Sequence, residues 1–351
     1  MGVSILIFLL IFSVIVIGHE FGHYAIARRS GIRVKEFDIG MGPSLVEWQR
    51  GETRFCIKPL PFGGACIFDG MDALADSEGE YDEHAFRNAG VWQRIATVLA
   101  GPVMNFIIGF LLALVIVGFS GSDLPVVNSV MENSAAQEAG LEAGDTIIRI
   151  NHMNIHLYRE ISVMSMLNYG ESMDVTYERD GVRKTVTLTP KYYVDDARYY
   201  IGLVGGGNVL APKGLNLVRY AFYEAQYWAR ATFMSLGSML KGHFSLDDLA
   251  GPVGVVQVVD ETYEATKPLG LPTMVLSFLN LSCLLTINLG IMNLLPIPAL
   301  DGGRLLLLLI EVVRGKPLPP EKEGMVHLIG AALLFMLVIA VLFNDIARLF
   351  R

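Results

Sequence analysis

The chain has 351 residues, of which 52% are hydrophobic and 18% charged, and its formal net charge is −8. Soluble chains carry about 25% charged residues, so this composition argues against a soluble two-domain enzyme. The acidic balance gives no support to a nucleic-acid partner, and Cys56, Cys66 and Cys283 are too few and too scattered for a disulfide framework or a cysteine-rich zinc site.

Residues 3–17 carry no charge, and the apolar character continues through Gly18-His19-Glu20-Phe21-Gly22-His23 to Ala27, ahead of Arg28 and Arg29. A membrane span needs roughly 20 residues, so this segment suffices only if His19, Glu20 and His23 lie inside the membrane. No basic side chain precedes it, which favours a retained first helix over residues 1–28 against a cleaved signal peptide. A cytoplasmic loop is expected at 29–93, with an acid-rich, solvated stretch at 69–83. Within it Lys58-Pro59-Leu60-Pro61-Phe62-Gly63-Gly64-Ala65-Cys66-Ile67 reads either as a plain turn or as a hairpin whose edge adds a strand to a bound peptide, with Gly63 and Gly64 as substrate-binding positions.

A second span is expected at 94–119. Residues 124–205 have the composition of a soluble, β-rich module, in which 158–168 reads as a short helix. Alternating strands near 175–178 and 185–188 are joined through Asp180-Gly181, a strong hairpin signal. The region 215–254 opens with an aromatic-rich segment whose internal charges are Arg219, Glu224 and Arg230. It fits a fifth span or an amphipathic helix lying at the interface. A third span, 272–313, is interrupted by Pro296 and Pro298, and a fourth covers 325–345.

Basic residues of short loops collect on the cytoplasmic side. Arg28, Arg29, Arg33 and Lys35, then Arg87 and Arg94, then Arg304, Arg314, Lys316 and Lys322 share one side if the N-terminus is outside, with Arg348 and Arg351 in minor dissent. The expected fold is therefore a polytopic α-helical membrane protein with four transmembrane helices and an inserted extracytoplasmic β-rich domain.

His19-Glu20-Phe21-Gly22-His23 matches HExxH. On a helix both imidazoles fall on one face and can reach one zinc while Glu20 contacts its water. The plain alternative is a helix end whose polar residues face solvent. Burial in a span weighs against it, since insertion costs roughly 2.5–3.5 kcal/mol for each charged side chain and a metal supplies the compensating partner. A third ligand is needed, and Asp301 is the candidate, in Asn293-Leu294-Leu295-Pro296-Ile297-Pro298-Ala299-Leu300-Asp301-Gly302-Gly303. If 215–240 does not span, the third helix runs inward and brings Asp301 to the depth of His19, so the interfacial reading of 215–254 is preferred.

These motifs, with Ala100-Gly101-Pro102, Asn105-Phe106 and Gly251-Pro252-Val253-Gly254, resemble the site-2 protease family of intramembrane zinc metalloproteases, in its bacterial RseP/RasP-like group. The resemblance covers nearly the whole chain. It implies His19, His23 and Asp301 as ligands of Zn2+, Glu20 as the catalytic carboxylate, and Asn293, Pro296 and Pro298 as residues that hold the substrate segment. Ser134-Ala135-Ala136 and the run 139–151 resemble the start of protease-associated PDZ modules, and 124–205 accommodates one such domain where enterobacterial relatives carry two. The implied function is cleavage of single-pass membrane proteins, such as anti-sigma factors or signal-peptide remnants, in regulated intramembrane proteolysis. An upstream site-1-type protease would act first, and the lipid bilayer is the remaining partner. The implied location is the bacterial inner membrane, with the N-terminus and PDZ domain extracytoplasmic. The competing reading is a non-enzymatic PDZ-bearing membrane adaptor with a vestigial metal site. Glu20 argues against it, because a structural zinc has no use for that base. Metal transport is weaker still, for want of repeated polar helices.

Overall fold

The computed structural model describes residues 2–71, 82–194, 198–243 and 251–348, so most of the acid-rich stretch lies outside the described residues. The chain divides into two compact units, Met1–Gly109 with Ser245–Arg351, and Phe110–Phe244.

The first unit opens with helix α1 (Gly2–Arg29), whose buried residues Ile15, Val16, His19, Gly22, His23 and Ala27 recur at helical spacing. Both histidines therefore sit on the packed face. Four strands follow: β1 (Val34–Met41), β2 (Val46–Arg50), β3 (Thr53–Ile57) and β4 (Leu60–Phe68). Their order in the sheet is β2-β3-β1-β4, with β1 parallel to β3 and antiparallel to β4. The 58–67 segment is thus no hairpin of its own. It is an edge strand held by β1 through pairs such as Asp38 with Ala65 and Ile39 with Gly64.

Helix α2 (Val91–Ser120) returns against α1. A β-carbon on Gly22 would lie 2.3 Å from the Ala100 carbonyl oxygen, so the absence of a side chain is what lets the two backbones meet. Ala27, Ile32, Val34, Phe68, Ile95 and Leu308 form an apolar cluster.

In the second unit, α3 (Ala135–Glu138) and α4 (Tyr158–Met166) pack with a four-stranded antiparallel sheet around Val127, Ile147, Ile150, Met173 and Val175. The hairpin of Met173–Arg179 and Val182–Leu188 turns on Asp180 and Gly181, both at positive φ (53° and 77°), the geometry that Asp-Gly favours. Helix α5 (Leu215–Leu240) lies on this module through ion pairs: Glu224 with Arg159 (2.9 Å) and Arg230 with Glu160 (2.7 Å). Val218, Phe222 and Phe233 on the same helix are exposed.

The chain then re-enters the first unit as α6 (Pro252–Thr266), α7 (Leu271–Asn293), α8 (Asp301–Arg314) and α9 (Pro320–Arg348). The Gly251-Pro252-Val253-Gly254 motif starts α6, where Gly251 offers no side-chain cap. Asp345 of α9 replaces it, accepting the N–H of Gly254 at 2.8 Å and of Gly251 at 3.3 Å. Pro296 and Pro298 occupy the break between α7 and α8, and Glu311 near the end of α8 accepts from the two terminal guanidinium nitrogens of Arg94 in α2 (2.5 and 3.1 Å). Helices α1, α2, α7 and α9 are long and apolar enough to cross a membrane.

Candidate metal centre

The i, i+4 spacing on α1 sets the imidazoles of His19 and His23 side by side, with their Nε2 atoms 3.1 Å apart. Asp301, the first residue of α8, brings its Oδ2 to 3.1 Å from His19 Nε2 and 3.3 Å from His23 Nε2. The helix N-terminus there favours a carboxylate. Four ligands at the usual zinc distances of about 2.0–2.1 Å are separated by about 3.3 Å, so the three edges match one face of a zinc tetrahedron. Asp301 Oδ2 is buried without a hydrogen bond of proper geometry, as expected of an atom built to meet an ion.

The outer nitrogens support the same chemistry. His23 Nδ1 lies 2.8 Å from the Thr97 carbonyl oxygen, which only accepts, so Nδ1 carries the proton and Nε2 has a free lone pair. His19 Nδ1 faces the amide of buried Asn105 at 3.1 Å. The Asn105 oxygen has no other partner, and with the amide turned end for end it accepts Nδ1–H and leaves Nε2 bare. Gly101, one turn before Asn105, clears the space: a β-carbon there would lie 2.2 Å from His23 Nε2.

The group opens into a cavity of about 660 Å³ whose lining includes Glu20, Gly64, Cys66 and His327. Glu20 reaches it beside β4, where a β-carbon on Gly64 would come within 3.2 Å of Glu20 Cγ. Asn293 joins the cluster, its Nδ2 3.4 Å from His19 Nε2. Pro296, Pro298 and Gly63 are not among the lining residues. Pro298 borders a separate apolar crevice of about 320 Å³ with Ile297 and Leu333, and Gly63 turns at φ 85° against Met41. Thr97 and His327 escaped the sequence reading. Thr97 acts through its backbone, which leaves no signature, and the partner of His327 is remote in sequence.

Two imidazoles, an adjacent glutamate and a carboxylate from a separate segment have the composition that a mononuclear centre of the HExxH metallopeptidase class requires. Residues 7–337 match the family model described as peptidase family M50. The zinc metalloprotease RasP of Bacillus licheniformis is 33% identical over 425 aligned residues, covering 99% of each chain. The regulator of sigma-W protease RasP of Bacillus subtilis is 31% identical, again covering 99% of each. A solved PDZ domain of an SdrC-like protein from Listeria monocytogenes is 17% identical and covers 24% of this chain and 87% of its own, at a TM-score of 0.21, too low to define the fold of the β-rich module. The chain belongs to peptidase family M50, the site-2 protease family, and is a zinc-dependent metalloendopeptidase.

Proposed function

We propose that the enzyme cleaves transmembrane segments of single-pass membrane proteins, such as anti-sigma factors or signal-peptide remnants, after an upstream protease has trimmed them. The observation that carries this reading is the position of the three ligand atoms, two of them on a helix long and apolar enough to cross a membrane. His19, His23 and Asp301 hold the zinc. When bound there, zinc supplies Lewis acidity that lowers the pKa of water and polarises a carbonyl. Glu20 takes the proton of the attacking water and delivers it to the leaving amine. A helix shields its own carbonyls, so the substrate must be extended at the cut. The outer edge of β4 at Gly63 and Gly64 is suited to receive it as an added strand, with Asn293, Pro296 and Pro298 bounding the segment.

The basic residues of the short loops support an inner-membrane protein with N-terminus and β-rich module outside. In that arrangement residues 124–205, read as a PDZ domain, control how substrates approach. Helix α5 fits the interface, with its ionic face toward the module and apolar side chains outward. The test incubates detergent-purified enzyme with a panel of transmembrane segments, with and without a zinc chelator. Cleavage within those segments that stops on chelation and returns with zinc is expected. Cleavage confined to soluble peptides overturns the intramembrane reading.

A further inference from the structure

Asp301 is delivered by a turn whose backbone is under constraint. Ala299, two residues earlier, has φ 78°, a left-handed conformation unfavourable for a residue with a β-carbon. The turn is confined on both sides. Toward α8, a β-carbon on Gly302 would lie 2.2 Å from the Leu295 carbonyl oxygen, and one on Gly303 2.3 Å from that of Ile297. Toward α9, Gly330 lets the helix backbone press on Pro298, where a β-carbon would approach to 2.3 Å. One turn before Gly330, on the same face of α9, His327 accepts the Ala299 N–H at Nδ1 across 3.2 Å.

We propose that His327 is a positioning residue, whose Nδ1 holds Ala299 in the left-handed turn that aims Asp301 at His19 and His23. The inference rests on the reading of Asp301 as a zinc ligand and goes beyond it. It makes the ligand's position depend on α9, a helix that supplies no ligand itself. Without the Nδ1 acceptor the Ala299 N–H loses its partner, the residue relaxes toward negative φ, and the carboxylate swings away from the imidazoles.

Zinc affinity of the full-length protein in detergent, measured by competition with a chromophoric chelator, tests this. His327→Leu keeps the bulk but removes the acceptor, and is expected to weaken zinc about tenfold, the scale seen when a ligand's orienting partner is lost. His327→Asn retains an acceptor at the δ1 position and should bind zinc like the wild type, whereas His327→Gln, with its acceptor one atom further out, should resemble His327→Leu. Adding Ala299→Gly to His327→Leu should restore most of the affinity, because glycine adopts positive φ without penalty. Damage to α9 packing alone would not be rescued in this way. Wild-type affinity in His327→Leu overturns the proposal, as does failure of both His327→Asn and Ala299→Gly to restore binding. Asp301→Ala is the reference: wild-type affinity there overturns the ligand reading itself, while loss there with none in His327→Leu overturns only the role of His327.

Discussion

The Nδ1–H of His23 donates to the Thr97 carbonyl across 2.8 Å, and this bond between α1 and α2 fixes which nitrogen of the imidazole faces Asp301. Asn105 is placed to do the same for His19. Asn105→Leu is expected to weaken zinc binding about 10- to 100-fold, while Asn105→Asp, which keeps an acceptor opposite Nδ1, retains most of it. Equilibrium zinc titration of both variants checks the pair, and equal losses would show that an acceptor opposite Nδ1 is not what this position supplies.

Glu20→Gln should abolish cleavage and leave zinc bound, since the proton acceptor is lost and the three metal-facing atoms remain. Metal analysis of the purified variant decides between this role and a ligand role. Loss of zinc together with activity would reassign Glu20 to the coordination shell.

Gly101→Ala should remove zinc and activity together, because the new methyl would stand 2.2 Å from His23 Nε2 and 2.8 Å from His19 Cε1. Gly18→Ala is the comparison. Its methyl meets the tip of the Ile108 side chain, which can rotate away, so zinc content should be unchanged. Metal content and a thermal melt of each variant separate a blocked site from a misfolded helix pair.

In the β-rich module, burial pushes the Asp145 carboxyl up, but hydrogen bonds from Arg179 and from the Glu142 N–H outweigh it and hold Asp145 below the usual carboxylate range. A carboxylate depressed on folding stabilises at pH values above its unfolded pKa of about 3.9, and that stabilisation is lost as pH falls through the lower folded value. Acid unfolding followed by amide exchange at Ile147 and Ile150 should move to higher pH in Asp145→Asn, which also lowers the melting temperature at neutral pH. An unchanged acid transition would remove this pair from the module's pH dependence.

Much of the centre was legible because helical spacing is rigid: HExxH places two imidazoles on one face whatever surrounds them. The four long apolar helices among the described residues are legible from composition, and the Asp180-Gly181 turn from its own chemistry. Apart from the meeting of Asp301 with the two histidines, pairings between distant segments were not legible. The 58–67 segment carries a local turn signal, yet β4 pairs with β1, which has β3 on its far side. The charges of α5 fit an interfacial helix, but that Glu224 meets Arg159 and Arg230 meets Glu160 has no sequence signature. Asn105 belongs to a sequence motif, but its contact with His19 depends on the close approach that Gly22 permits between α1 and α2.

The division of the centre between α1 with α2 and the start of α8 sets an order on its assembly during synthesis. Both imidazoles and the groups that orient them, Thr97 and Asn105, belong to the first 105 residues, whereas the carboxylate arrives only with residue 301. A nascent chain therefore carries both histidines and both of their orienting groups well before the carboxylate, that is, two of the three protein ligands proposed for zinc. With Asp301 as the third ligand, a complete ligand set would wait until residue 301 of the 351 has been made.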